Sequence, residues 1–158
     1  MTLPYHTPLT DAQQRQLGLD HPQPFAVADR VRFAELDALN HVNNKAYLEW
    51  FETVRVAYFK QLCAHHYEGR PAPRMVIRNA DIHYVQEMVM DEDYVVTVRV
   101  TGYRTTSFVM EHQLWSGGSL RARMTGVMVT LLPDGSGRYP LPEALVAEFR
   151  ERDGAQPA

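Results

Sequence analysis

The segment Arg32-Phe33-Ala34-Glu35-Leu36-Asp37-Ala38-Leu39-Asn40-His41-Val42-Asn43-Asn44-Lys45-Ala46-Tyr47 gathers carboxylates, an imidazole and asparagines in one short span. A strand runs into a loop holding Asp37, and a long helix begins about six residues later. The first N–H groups of a helix have no intrahelical acceptor, and the helix dipole adds partial positive charge there. Such an end can hold an oxyanion. A carboxylate on the approaching loop can then act on the carbon that carries the oxyanion. Donor plus base or nucleophile is the minimum equipment for acyl transfer. On spacing alone, plainer roles are favoured. Asp37 can be a turn residue or a carboxylate steadied by the dipole. Glu35 lies two residues earlier and can point the same way from an extended strand; it is the rival carboxylate, or else a solvated strand end. His41 is a general base or a loop histidine bonded to nearby backbone. Asn40, Asn43 and Asn44 are first of all turn and cap residues.

The elements that position this segment follow from periodicity. Phe25–Glu35 alternates as a first strand, with Val27, Val31 and Phe33 set against Arg30 and Arg32. From Asn43 onward Tyr47, Trp50, Phe51, Val54, Tyr58 and Leu62 recur at spacings of three and four. That is one apolar face of a helix of roughly five to six turns, and Lys45, Glu49, Glu52 and Lys60 occupy the other face. Asn43 or Asn44 can cap it, and Arg70, Pro71 and Pro73 close it. Strands follow at 74–85, 94–101, 108–115 and 120–132, with turns at Asp91–Asp93, at Ser116-Gly117-Gly118-Ser119 and at Pro133-Asp134-Gly135. Residues 142–150 can form a short C-terminal helix. Antiparallel strands after one long helix make an α+β layer, in which the apolar helix face packs against a curved sheet. The sheet edges need covering, and a second subunit is one way to cover them.

Bulk properties narrow the field. A chain of 158 residues favours one domain. The formal net charge of -3 argues against a nucleic-acid partner. No apolar run has membrane-spanning or signal-peptide length, so a cytoplasmic protein with no membrane partner is expected. Cys63 is the single cysteine and reads as a small buried hydrophobe in a reducing compartment. No metal site is expected. His65 and His66 are adjacent and should point to different faces of a helix, unlike an i, i+4 zinc pair, and no Cys-x-x-Cys exists. A Gly-x-Ser-x-Gly elbow is also missing, so Ser107 reads as a strand or substrate-contact residue. Residues 1–24, rich in Pro, Gln and His, form an N-terminal extension on the surface with a short helix around 9–17. Residues 151–158 form a polar tail.

Phe33, Asp37, His41-Val42-Asn43-Asn44, Tyr47, Trp50-Phe51, Glu52 and Arg55 resemble the opening motif of the 4-hydroxybenzoyl-CoA thioesterase family. Three further segments are similar to later parts of that family: Asn79–Tyr84 to its second strand, Tyr103–Phe108 to the region near the coenzyme A site, and Pro140-Leu141-Pro142 to its closing turn. The resemblance spans residues 25–150 and implies a hotdog fold, a long central helix wrapped by a five-stranded antiparallel sheet. It implies an acyl-CoA thioesterase needing no cofactor. Asp37 would be general base or nucleophile, and the backbone N–H near Asn44 the oxyanion donor. His41, Tyr47, Arg104 and Ser107 would contact substrate, with Arg104–Ser107 near the pantetheine or phosphates. The resemblance also implies a homodimer or homotetramer, with sites shared between subunits. Some relatives carry several basic residues before the Ser-Phe pair, whereas here Arg104 alone is basic. An acyl-carrier-protein thioester therefore stands beside acyl-CoA as the substrate. The alternatives are a hotdog acyl-thioester hydratase or dehydratase, and a non-catalytic acyl-thioester-binding protein; Asp37 argues against the binder.

Overall fold

The long helix starts where its cap demands. The Asn43 side-chain oxygen accepts the Lys45 N–H at 2.9 Å, satisfying one orphan donor of the first turn. Helix α2 then runs Asn44–Tyr58. Tyr47, Trp50, Phe51, Val54 and Tyr58 are buried along one face, while Lys45, Glu49 and Glu52 are exposed. The winding loosens into a π turn at Phe59–Cys63 and tightens into a 3-10 turn at Ala64–Tyr67.

The computed structural model describes residues 3–158. Before α2 come helix α1 (Asp11–Gln16), strand β1 (Phe25–Arg30) and a 3-10 turn (Phe33–Glu35). After it come β2 (Arg74–Tyr84), β3 (Asp93–Tyr103), β4 (Ser107–Ser116), β5 (Ser119–Leu131), helix α3 (Glu143–Asp153) and the short β6 (Gln156–Pro157). The strands pair in the order β1-β3-β4-β5-β2, with β6 added beside β3. β1 is antiparallel to β3, with Phe25 opposite Val98 and Arg30 opposite Asp93. This is the expected α+β arrangement of a long helix and an antiparallel sheet, extended by one short parallel strand.

The chain forms two compact units. The first comprises the described residues up to Arg55 together with Ile82–Val98 and His112–Met124. Within it Trp50 stacks on Tyr94 at 4.2 Å and Phe51 meets the buried His112 at 5.3 Å. Leu9, Leu19, Ala26, Ala28 and Val95 form a buried cluster. The second unit comprises Val56–Asp81, Arg99–Glu111 and Thr125–Ala158. Phe108 packs on Phe149 at 5.4 Å there. Asp153 accepts the Val100 N–H at 2.9 Å, and Arg152 donates to the Tyr58 hydroxyl at 2.8 Å. Burial pushes the Cys63 thiol up to about 12, so it is an inert buried group at neutral pH.

Four expectations need correcting. The first strand stops at Arg30. Glu35 accepts the Arg32 N–H on its side chain at 2.8 Å, and its own N–H donates to the Arg32 carbonyl at 3.0 Å. That pair of bonds folds 33–35 into a 3-10 turn and leaves Phe33 78% exposed. The expected extension is more than a surface appendage, because Leu9, Gln14 and Leu19 are buried; its residues 1 and 2 lie outside the described residues. The expected polar tail is structured too: α3 continues to Asp153, Ala155 is buried, and Gln156 pairs with Gly102. Finally, His65 and His66 do not diverge. Their rings stand 4.1 Å apart and both Nε2 atoms approach Glu148. Backbone directions a helical step apart do not stop long rotatable side chains from reaching one carboxylate on another element.

β2 closes one end of the strand order, and its Val76, Ile77 and Tyr84 are exposed, as is the adjoining Val85. No helix among the described residues is long and apolar enough to cross a membrane.

Candidate active site

The loop after the 3-10 turn is tied down by its own backbone. Leu36 and Val42 form an antiparallel bridge. The Asp37 N–H donates to the His41 carbonyl at 2.8 Å, and the Asn40 N–H to the Asp37 carbonyl at 3.0 Å. Asn40 takes a φ of 60°, a left-handed conformation that Asn tolerates better than most residues. The buried Val42 donates its N–H to the Met88 carbonyl at 2.8 Å, anchoring the loop to the segment after β2.

This loop orients Asp37. Its Oδ1 accepts the N–H groups of Leu39 at 2.8 Å and His41 at 3.3 Å. Its Oδ2 makes no hydrogen bond among the described residues, and the residue is exposed. One oxygen is fixed and the other is free to accept a proton or attack an electrophile. Glu35 is placed differently. Its Oε2 accepts the buried Trp50 indole N–H at 2.6 Å, and its Oε1 accepts the Arg32 N–H. Both oxygens of the rival carboxylate are committed to holding structure.

Asp37, His41, Val42, Asn44, Tyr47, Tyr84, Val85, Gln86 and Glu87 line one pocket of about 320 Å³. Asn44 opens the helix, and its N–H has no hydrogen-bond acceptor among the described residues. Its carbonyl accepts the Tyr84 hydroxyl at 3.1 Å. Tyr47 meets Tyr84 edge-on at 5.1 Å. Burial, only partly countered by Arg121, pushes the Tyr47 hydroxyl up to about 12, so it remains a neutral donor at neutral pH. The His41 Nδ1 lies 3.3 Å from a Glu87 carboxylate oxygen.

Four residues expected from the sequence, Asp37, His41, Asn44 and Tyr47, thus share one pocket. Arg104 and Ser107 line another, of about 150 Å³, with Arg78, Tyr103, Phe108, Val109, Val127 and Ala158. There Arg104 is exposed, Ser107 is buried, and the Arg104 N–H donates to the Ser107 carbonyl at 2.8 Å across the β3–β4 turn.

Sequence reasoning missed Tyr84, Glu87 and Arg121. Arg121 is nearly buried; it donates to the Glu87 carbonyl at 2.6 Å and lies 3.0 Å from the Glu92 carboxylate. Its backbone carbonyl accepts the N–H groups of Val85 and Gln86. One arginine therefore fixes the backbone of the pocket wall opposite Asp37's loop. An arginine in a strand of mixed alternation carries no sequence signal for that role.

Residues 31–149 match the model of the family described as the Thioesterase-like superfamily. The chain is also similar to several solved structures. One of the thioesterase superfamily from Jannaschia sp. CCS1 is 46% identical, covering 98% of this chain and 99% of its own, with a TM-score of 0.89. A thioesterase from Thermus thermophilus, solved with coenzyme A and Zn, is 33% identical over 85% of this chain and 98% of its own, with a TM-score of 0.72. A predicted thioesterase from Bacillus stearothermophilus is 25% identical over 83% of this chain and 97% of its own, with a TM-score of 0.71. Among curated proteins none matches. The helix and sheet described above are thus a hotdog fold.

Proposed function

Because the chain belongs to the Thioesterase-like superfamily, we propose that it hydrolyses an acyl-CoA thioester to the free acid and coenzyme A, with Asp37 as the reacting carboxylate. The observation that carries this reading is the pairing of a free Asp37 Oδ2 with an acceptor-less Asn44 N–H on one pocket. With the thioester oxygen held by the Asn44 N–H, negative charge developing on it is met by a fixed dipole. Asp37 then either takes a proton from water as the water oxygen attacks the carbonyl carbon, or attacks that carbon itself. In both cases the C–S bond breaks and the thiolate leaves and takes a proton; on the first route the acid is released directly, and on the second water then cleaves the mixed anhydride on Asp37, releasing the acid and restoring the carboxylate. Tyr47 and His41 contact the acyl group or the pantetheine end. Arg104 and Ser107 take the carrier in a site completed by a second copy of the chain. The motif at 33–55 supports the 4-hydroxybenzoyl-CoA thioesterase family within the superfamily.

Coenzyme A as the carrier is supported by the Thermus thermophilus thioesterase, which was solved with it. A homodimer or dimer of dimers is supported by β2, a long edge strand with exposed apolar side chains of the kind that proteins cover by pairing. The free Cys63 thiol suits a reducing, cytoplasmic setting. The test is thiol release from short-chain, long-chain and aromatic acyl-CoA thioesters. Turnover on at least one class is expected; absence of release from every class contradicts the proposal.

A further inference from the structure

Among the described residues, the metal-ligating side chains that converge are His65, His66 and Glu148. They lie in one compact unit, the histidines on the 3-10 turn Ala64–Tyr67 and the glutamate on α3. His66 Nε2 stands 3.1 Å from Glu148 Oε1, and His65 Nε2 stands 3.7 Å from the same oxygen. One ligand atom from each of the three residues lies within 4.8 Å of the others.

The His66 nitrogen is the informative atom. Its side chain is only 10% exposed, and its partner is the Glu148 carboxylate, which it meets at 3.1 Å without the geometry of a well-aligned hydrogen bond. His65 Nε2 approaches the same carboxylate oxygen. Two imidazole nitrogens thus converge on one carboxylate oxygen, and a cation between them would satisfy all three ligand atoms at once. Glu148 is braced for this. Its other oxygen accepts Arg152 Nη1 at 3.0 Å, which steers Oε1 toward the histidines. The positive charge of Arg152 is itself engaged by Asp153 and by the Tyr58 hydroxyl.

We propose that His65, His66 and Glu148 bind a divalent transition-metal ion of the Zn²⁺ type, ligated by both Nε2 atoms and Glu148 Oε1, with water in the fourth position. Two imidazoles and one carboxylate suit Zn²⁺ and its borderline neighbours, and are a poor match for Mg²⁺ or Ca²⁺, which favour oxygen ligands. Ligands at about 2.1 Å in a tetrahedron are separated by about 3.4 Å, close to the 3.1 and 3.7 Å found. The remaining adjustment falls on His65, whose side chain is 54% exposed. The bound ion staples the end of the long helical run to α3, so its effect is on stability.

The experiment uses tag-free, chelator-stripped full-length protein. Co²⁺ titration should give visible d–d bands that saturate at one ion per chain, and Zn²⁺ should displace them. Zn²⁺ at 100 times its Kd should raise Tm by about 5–10 °C, whereas Mg²⁺ should not. His65→Ala, at an exposed position that folding tolerates, and Glu148→Gln should each abolish both the bands and the rise. No saturable binding, an equal rise with Mg²⁺, or unchanged Co²⁺ bands in His65→Ala would each overturn the proposal.

Discussion

The two carboxylates of the loop separate cleanly under mutation, and Glu35 is the sharper case. Glu35 accepts the Trp50 indole N–H at 2.6 Å, and Trp50 is 6% exposed. Glu35→Ala removes a charged acceptor and leaves that N–H buried with no partner. An unsatisfied buried donor costs about 1–3 kcal/mol, with bonds to charged groups toward the upper end. The freed Arg32 N–H lies at an exposed residue, where water replaces the bond at little cost. A loss of about 2–3 kcal/mol corresponds, for a chain of this size, to a Tm fall of about 5–10 °C. Thermal denaturation followed by circular dichroism measures it. Thiol release at 20 °C, where the variant stays folded, should keep kcat within about threefold of the parent. Adding Trp50→Phe removes the donor as well, so the two substitutions should be sub-additive by about 1–2 kcal/mol. An unchanged Tm together with a ~100-fold loss of kcat would instead make Glu35 the reacting group.

Other outcomes follow from the same structure. Burial holds the Cys63 thiol and the Tyr47 and Tyr67 hydroxyls up at about 12, against ordinary values of 9.0 for the thiol and 10.0 for the hydroxyls. The unfolded chain therefore loses these protons first. The stability they contribute is fully present below pH 9 and drains away as pH rises toward 12. Tm measured against pH should fall across that window, and Cys63→Ala should flatten its first part. Arg104→Ala should raise KM for acyl-CoA and spare kcat, since a remote carrier contact is made equally in ground and transition states; steady-state kinetics reads both. On the proposed pairing through β2, Ile77→Lys on that exposed edge strand should lower the assembled fraction in light scattering, and activity should fall with it.

How much of this was legible in the sequence differs by element. The helix face from Tyr47 to Tyr58 was plain because a 3.6-residue period survives any tertiary context. Its start was legible to within one residue, since Asn43 and Asn44 both suit an N-cap and the structure uses Asn43. The end of β1 was not. Alternation carried the strand reading through Glu35, yet the Glu35 side chain bonds the Arg32 N–H and turns the chain, and periodicity does not register a side chain competing with the ladder. The pocket loop was half legible. The residue types at 37–44 suggested a turn beside a helix, but spacing could not say which carboxylate was free. That depended on Trp50, fifteen residues away, capturing Glu35. The wall made by Glu87 and Arg121 was silent, because it depends on which strand lies next to which. The convergence of His65 and His66 on Glu148 was hidden for the same reason, since the third member lies far along the chain on α3.

Asp37→Asn is the most direct test of the proposed reacting carboxylate. Asparagine keeps an oxygen for the Leu39 and His41 N–H groups, so loop and fold should hold, with Tm close to the parent's. It replaces the free, charged oxygen with an amide that neither accepts a proton nor attacks a carbonyl. Measured on the best acyl-CoA substrate, kcat should fall at least ~100-fold. A folded Asp37→Asn protein that retains parental kcat would contradict the claim that Asp37 carries the reaction.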